Sequence, residues 1–308
     1  MSASIPNIPA PNISVTGDGA QTRVTRSSAR RFLSTLSRRG DGMLGIVIVG
    51  LLLVALIAAP LLAPYPAAQQ AIKERNEGPS ALHLLGTDHL GRDLLSRIIF
   101  GTRVAMGTAL PSVLAALLLG LLLGMSAGYR GGIVDSWLLV VMDALQAFPA
   151  VILALALLAL LGPSSTNVII VVALAFAPGY ARVVRAQTLA LRAQPFVEAG
   201  RTVGATTSRI LLRHILPNLL PPLVILLAMD LPSVVTFEAG LSFLGLGVRP
   251  PTPSWGVILA DGFSKIRNTP WPVLWAGLAL MLTTLGFTLL GETLRDLLDP
   301  RLSQTRRA

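Results

Sequence analysis

The chain reads as an all-α integral membrane protein of six transmembrane helices, and three observations carry that expectation. Of its 308 residues, 53% are apolar and 13% charged, with a mean hydropathy of +0.68. A soluble domain carries about a quarter charged residues. Apolar runs near or above twenty residues recur along the chain, and roughly 20 helical residues cross a hydrocarbon core. The two-residue alternation of a membrane barrel is missing. The helix is then the conformation whose backbone hydrogen bonds close within each span.

Each element follows in order. Residues 1–40 are rich in Ser, Thr, Pro and Arg and lack apolar periodicity, which predicts a mobile cytoplasmic tail. The first apolar run, about 43–63, lies too far from the start and runs too long for a cleaved leader. It predicts a first transmembrane helix over 41–64. Residues 65–103 are an extracytoplasmic loop, long and rich in turn formers, as functional or structured loops are. The core over 104–293 holds five further runs, at about 105–128, 133–161, 166–184, 216–236 and 272–291, with a charged loop over 194–214. A second long outer segment runs from about 238 to 270. Residues 294–308 are a cytoplasmic tail.

Orientation follows from the basic residues. Placing both termini in the cytoplasm gathers Arg23, Arg26, Arg30, Arg31, Arg38, Arg39, Arg130, Arg182, Arg185, Arg192, Arg201, Arg209, Arg213, Arg295, Arg301, Arg306 and Arg307 on one face. The eight remaining basic residues lie on the other, interspersed with acids. Lys and Arg favour the cytoplasmic side, so the chain is expected to cross a bacterial cytoplasmic membrane with both ends inside. The same bias explains the net charge of +10 without nucleic acid. Trp255, Trp271 and Trp275 suit aromatic anchors at a membrane surface.

Several chemistries are excluded. There is no cysteine, so no thiol nucleophile, disulfide or cysteine metal site. His83, His89 and His214 show no ligand spacing, and no metal site is expected. Lys73 and Lys265 are the only lysines, and neither follows Gly or precedes Ser or Thr. A phosphate-cradling loop of the Walker type needs both. The chain is not expected to bind a nucleotide cofactor or to carry catalytic residues.

The loop at 194–214 carries the most information. Pro195 suits the first position of a helix, where its missing N–H costs nothing. Glu198 then complements the positive end of the helix dipole. Ala199, Gly200, Gly204 and Ala205 leave a low-relief surface, and each Gly costs about 1 kcal/mol against Ala inside a helix, so two of them need a reason. Arg201, Arg209 and Arg213 offer charge to a protein partner or to lipid head groups. A plain interfacial linker is the bland alternative.

Glu198-Ala199-Gly200, then Gly204, then nine residues to His214-Ile215-Leu216-Pro217, resembles the EAA loop of ABC importer permeases. Gly200 stands where a second alanine is usual, and the ending is His-Ile-Leu-Pro. Three further stretches are similar to signatures of the dipeptide/oligopeptide/nickel permease family: Leu85-Gly86-Thr87-Asp88-His89-Leu90-Gly91-Arg92-Asp93, Leu241–Gly256, and Leu294–Leu302. The resemblance spans about residues 40–303. It implies a type I importer core with one extra N-terminal helix, built as a heterodimer with a second homologous permease. It also implies two cytoplasmic ATPase subunits, which use ATP and Mg, and an extracytoplasmic substrate-binding protein. Glu198, Ala199, Gly200, Arg201, Gly204 and Ala205 would then form the coupling helix against an ATPase. Peptides are the expected cargo, with nickel or another small solute as the alternative. An ion-gradient-driven transporter would explain the buried acids but not the glycine-bearing helix.

Two readings stay open at the remaining polar residues. Gly86 and Gly91 permit tight turns around Thr87, while Asp88, Arg92 and Asp93 either pair with one another or meet a substrate-carrying protein. Asp135, Asp143, Asp230, Glu238 and Glu292 lie in or beside apolar runs, where a central charge costs roughly 3 kcal/mol. Asp143, Asp230 and Glu238 either line a translocation path or pair and cap within the bundle. Gly120, Gly124 and Gly128 suit close helix packing.

Overall fold

The computed structural model describes residues 40–298. The expected tail before Gly40 and that beyond residue 298 lie outside the described residues. The helices are α1 (Gly40–Leu62), α2 (Leu94–Arg130), α3 (Gly132–Gln146), α4 (Ala150–Leu161), α5 (Ser165–Arg192), α6 (Pro195–Thr202), α7 (Thr207–Ile210), α8 (Leu216–Phe243), α9 (Trp255–Ser264) and α10 (Trp271–Leu298). A π-helical turn at Leu211–Ile215 joins α7 to α8, so the two act as one long segment. Among the described residues, α1, α2, α5, the joined α7–α8 and α10 are long and apolar enough to cross a membrane. The pair α3 and α4, bent by 87°, passes the same test only when taken together and brings the count to six if it is one broken span.

Two spans differ from their sequence expectation. The run at 133–161 is not straight, because Pro149 cannot donate an amide hydrogen and forces the preceding residue out of helical geometry. The helix stops at Gln146 and restarts at Ala150. The second span starts at Leu94, ten residues before the expected core boundary at 104. Asp93 caps it, its carboxylate accepting from the Ser96 amide at 2.7 Å, and Ser, Thr and Arg side chains occupy its first turns.

Packing is densest between α2 and α5, which run side by side in the same direction. Lipid tails are as apolar as leucine, so helices in a bilayer associate by close fit rather than by water exclusion. Gly120, Gly124 and Gly128 make that fit. A Cβ on Gly124 would lie 2.4 Å from the Ala181 carbonyl oxygen and 2.7 Å from the Val184 Cβ, and one on Gly128 would lie 2.7 Å from the Arg185 carbonyl oxygen. Antiparallel α1 and α10 repeat the device, with Gly45 against Leu290 and Gly286 against Ile48.

The bundle has two distinct ends. One is a polar cap made by residues 63–93, the first turns of α2, and α9. Trp255 belongs to this cap and is 1% exposed, its indole N–H donating to the Ile98 carbonyl at 3.0 Å. It is a core strut, not the membrane-surface anchor its residue type suggested. Trp275 similarly donates to the Leu85 carbonyl at 3.0 Å. The opposite end carries the last turns of α2 and α5, helix α6 and the start of α7.

Replacing Gly124 by Val is expected to destabilise the folded bundle by about 1–3 kcal/mol, the usual cost of overpacking. Gly107 meets nothing within 4 Å, so Gly107→Ala on the same helix should be neutral or slightly stabilising. Detergent-denaturation midpoints of the two variants measure the contrast.

Candidate functional site

Helix α6 projects from the end opposite the cap. Pro195 opens it and Glu198 lies in its first turn. Its C-terminus is a Schellman closure: the Ala205 amide donates to the Gly200 carbonyl at 3.0 Å and the Gly204 amide to the Arg201 carbonyl at 2.9 Å. That geometry needs a left-handed residue after the C-cap, and Gly204 supplies it with φ of +80°. Gly204 is therefore demanded by the turn itself. Gly200 is different, because it sits in the helix and a Cβ there would meet open space. Nothing among the described residues requires Gly200 to be a glycine.

The site residues predicted on this helix come together on one small exposed surface. Glu198, Ala199, Arg201 and Gly204 are exposed and Gly200 and Ala205 half-buried. Val197 alone on the helix is buried and anchors it. Phe196 remains 42% exposed and Val203 89% exposed. Both apolar side chains thus stand open beside Glu198 and Arg201, charges that a bilayer rejects. Phe196 also tilts against the His214 ring, with centroids 6.3 Å apart, so α6 is tied to the entry of the next span.

The outer-loop motif forms a different kind of site. Gly86, Thr87, Asp88, Gly91, Arg92 and Asp93 are all buried within this chain. Asp88 accepts from the Leu90 and Arg92 amides at 2.8 and 3.0 Å and from the Arg92 Nε at 2.6 Å. Arg92 continues to Asp261 of α9, with its Nη2 donating at 3.2 Å. Arg97 lies against the same two carboxylates at 3.6 and 4.0 Å, while its Nε and Nη1 make no hydrogen bond. Thr87 joins the cap backbone by donating to the Glu74 carbonyl and accepting from the Glu77 amide. A Cβ on Gly91 would lie 1.8 Å from the Ala71 carbonyl oxygen, so only glycine fits there.

Asp88 and Arg92 pair as one sequence reading had it, whereas Asp93 turns elsewhere. It caps α2 and faces the His83 ring, 2.9 Å from its Nδ1. The other ring nitrogen lies 3.1 Å from Glu74. Burial alone would lower the imidazole's pKa; the hydrogen bonds to Asp93 and Glu74 outweigh it and hold the group above its ordinary value. Sequence reasoning missed His83, because its partners lie nine and ten residues away across an irregular loop with no periodicity to follow.

The three acids proposed for a path do not share one cavity. Asp143 is exposed and pairs with Arg182 at 2.5 Å. Glu238 is 1% exposed; one of its oxygens accepts from Ser242 at 2.7 Å while the other is unpartnered. Asp230 is half-buried beside the Tyr180 hydroxyl. Asp135 is held by two bonds from Arg185, at 2.5 and 2.7 Å. A groove of about 570 Å³ opens instead along α8 and α10, lined by Met229, Ser233, Thr236, Phe237, Thr284 and Thr288 among others.

Comparison with known proteins defines the class. Residues 120–304 match the family described as binding-protein-dependent transport system inner membrane component. Residues 27–79 match the N-terminal transmembrane domain of oligopeptide transport permease C. The dipeptide transport system permease protein DppC of Alkalihalophilus pseudofirmus is 36% identical, over 89% of this chain and 90% of its own. The glutathione transport system permease protein GsiD of Pectobacterium atrosepticum is 42% identical, over 83% and 87%. The inward-facing MetNI methionine ABC transporter shares the fold at a TM-score of 0.53 and 19% identity, over 67% of this chain and 98% of that one. The molecule is thus a permease of the ABC importer class. Within that class, the chain belongs to the dipeptide/oligopeptide/nickel family of binding-protein-dependent inner membrane components.

Two measurements follow from this geometry. Because the folded imidazole binds its proton more tightly than the unfolded one, its stabilisation is complete below the unfolded value near pH 6.5 and is lost as pH rises through the folded value. The thermal stability of the parent chain, referred to His83→Gln, should fall as pH rises above about 6.5. At α6, Gly204→Ala should cost about 1–2 kcal/mol through left-handed strain, whereas Gly200→Ala should leave the isolated chain as stable or firmer by up to about 1 kcal/mol. Chemical denaturation of the purified chain distinguishes the two glycines.

Proposed function

We propose that the chain is the membrane-spanning subunit of an ATP-driven importer that carries di- or oligopeptides into the cell. Two separate ATPase subunits hydrolyse ATP with Mg, a second homologous permease completes the membrane unit, and an extracytoplasmic binding protein delivers the cargo. The observation that carries this reading is the geometry of α6. It is an eight-residue helix with an exposed low-relief surface and a glycine closure, at the end of a bundle that belongs to the importer family. The names of the relatives support peptide cargo, dipeptide in one and glutathione in another.

The energy enters through α6. When the ATPase pair closes on nucleotide, a helix seated in its groove moves with it. The bundles then rock around a central path, a physical route to alternating access. In this orientation, which the arginine bias supports, both termini and α6 face the cytoplasm and the cap faces outward toward the binding protein. The cap's buried carboxylate–arginine braces keep the outer surface rigid, so that delivery meets a fixed shape.

The path runs along the groove beside α8 and α10. Its hydroxyls at Ser233, Thr236, Thr284 and Thr288 offer hydrogen bonds to a peptide backbone without fixing a side chain. Asp230 follows Met229 on the same helix but turns toward the Tyr180 hydroxyl of α5 and is not among the groove's lining residues. Asp143 pairs with Arg182 and so ties α3 to α5, while Glu238 bonds only Ser242 one turn along its own helix.

Co-purification and uptake test the reading. Glu198→Arg combined with Val203→Asp is expected to strip the ATPase subunits from the purified complex and to abolish ATP-dependent uptake of labelled dialanine or glutathione in proteoliposomes. Retained ATPases with unchanged uptake would contradict it. So would uptake that follows a proton gradient without ATP.

A further inference from the structure

One aromatic contact at the α6 end joins a residue of that site to one outside it. Arg201 of α6 places its guanidinium carbon 5.3 Å from the centroid of the Tyr129 ring. Tyr129 stands in the last turn of α2, and its carbonyl accepts from Arg192 Nη1, at the last turn of α5, at 2.8 Å. Gly131 follows with φ of +69°, and a Cβ there would lie 3.4 Å from the same Arg192 nitrogen. The ends of α2 and α5 are therefore pinned together at Tyr129, and α6 rests a charged side chain on the pin.

The mechanical consequence comes from how unevenly the chain is tied together. Behind the pin, α2 and α5 pack through the glycine stripe at 120, 124 and 128, where the backbones touch neighbouring side chains and carbonyls directly. Interfaces packed this closely move as bodies rather than deform. The links along the chain from α6 are softer: residues 193 and 194 on one side, and the turn through Gly204 on the other. Val197 is buried in the core, and Phe196 ties α6 toward His214 at the entry of α8. A guanidinium over a tyrosine face is a directional attraction, suited to transmitting displacement across that gap.

We propose that Tyr129 is a positioning residue for energy coupling: the Arg201–Tyr129 stack passes movement of α6 to the α2–α5 pair, so that the two helices shift together. The proposal rests on α6 being the ATPase dock. It adds the load path from the dock into the membrane, which no motif in the loop contains.

The test uses the full reconstituted complex, with Tyr129→Leu, Tyr129→Phe, Arg201→Gln and the double variant Tyr129→Leu/Arg201→Gln. The readout is labelled dialanine or glutathione, whichever the parent complex imports, taken up per ATP hydrolysed, with ATPase stoichiometry checked after purification. Tyr129→Leu and Arg201→Gln should each lower that ratio roughly two- to fivefold, the factor a partly exposed cation–π contact is worth. Tyr129→Phe, which keeps the ring face, should match the parent. The double variant should be no worse than either single, as expected for two residues that act through one contact.

An unchanged ratio in both single variants with ATPases still bound would overturn the proposal, as would strictly additive losses. Because Arg201 is exposed, its variant carries the test even if Tyr129→Leu fails to fold. Cross-linking from Ala199→Cys separates this failure from failure of the dock, and with no native cysteine in the sequence that thiol is the only one in this chain. No cross-link to an ATPase would sink the dock and this proposal together. A cross-link with an unchanged ratio would sink the proposal alone.

Discussion

Close approach of helix backbones is the constraint from which the rest of the molecule follows. In lipid there is no water to expel from between helices, so contact area must come from shape. The stripe at Gly120, Gly124 and Gly128 lets α2 and α5 meet along several turns, with Ala181, Val184 and Thr188 filling the space a side chain would take. This pair is the stiff frame. Everything mobile or exposed, including the broken α3–α4 span, the π turn before α8 and helix α6, is arranged around it.

Rigidity at the cap has a different source. There the chain leaves the apolar phase, and its braces are charges and hydrogen bonds: Asp88 with Arg92, Arg92 with Asp261, and His83 between Asp93 and Glu74. Buried ion pairs gain little over apolar packing, and their loss is expensive because the partner is stranded. Their value here is geometric. They fix an irregular loop against α2 and α9, so the cap keeps one shape while the opposite end presents a short exposed helix. The motif residues themselves are sequestered, so any partner at the cap meets the surface they shape rather than their side chains.

The number of spans and the all-helical class were legible because hydropathy is a local property that the bilayer reads directly. Helix α6 was legible for a similar reason: Pro195 at its start, Glu198 in its first turn and Gly204 at its end are punctuation carried by neighbouring residues. What could not be read depends on pairs far apart in the chain. Arg97 and Thr102 look like loop residues until Asp88, Asp261 and helical back-bonding are placed around them, so α2 starts earlier than its apolar run. Trp255 has the composition of a surface anchor, and only the carbonyl of Ile98 makes it a strut. Tyr129 gave no signal, since its meaning comes from Arg192 and Arg201 folding back over it. Gly200 and Gly204 looked alike in sequence, yet one is required by the backbone turn and the other faces open space.

The central claim is that nucleotide-driven motion enters this bundle through α6. Hydrogen–deuterium exchange of the chain alone and in the assembled complex tests it most directly, because α6 is a short, exposed helix whose amides exchange by local opening. The account predicts that assembly with the ATPase subunits slows exchange across residues 196–205 and leaves the cap amides near Asp88 and His83 unchanged. Unaltered exchange over α6, with new protection appearing at the cap, would contradict it.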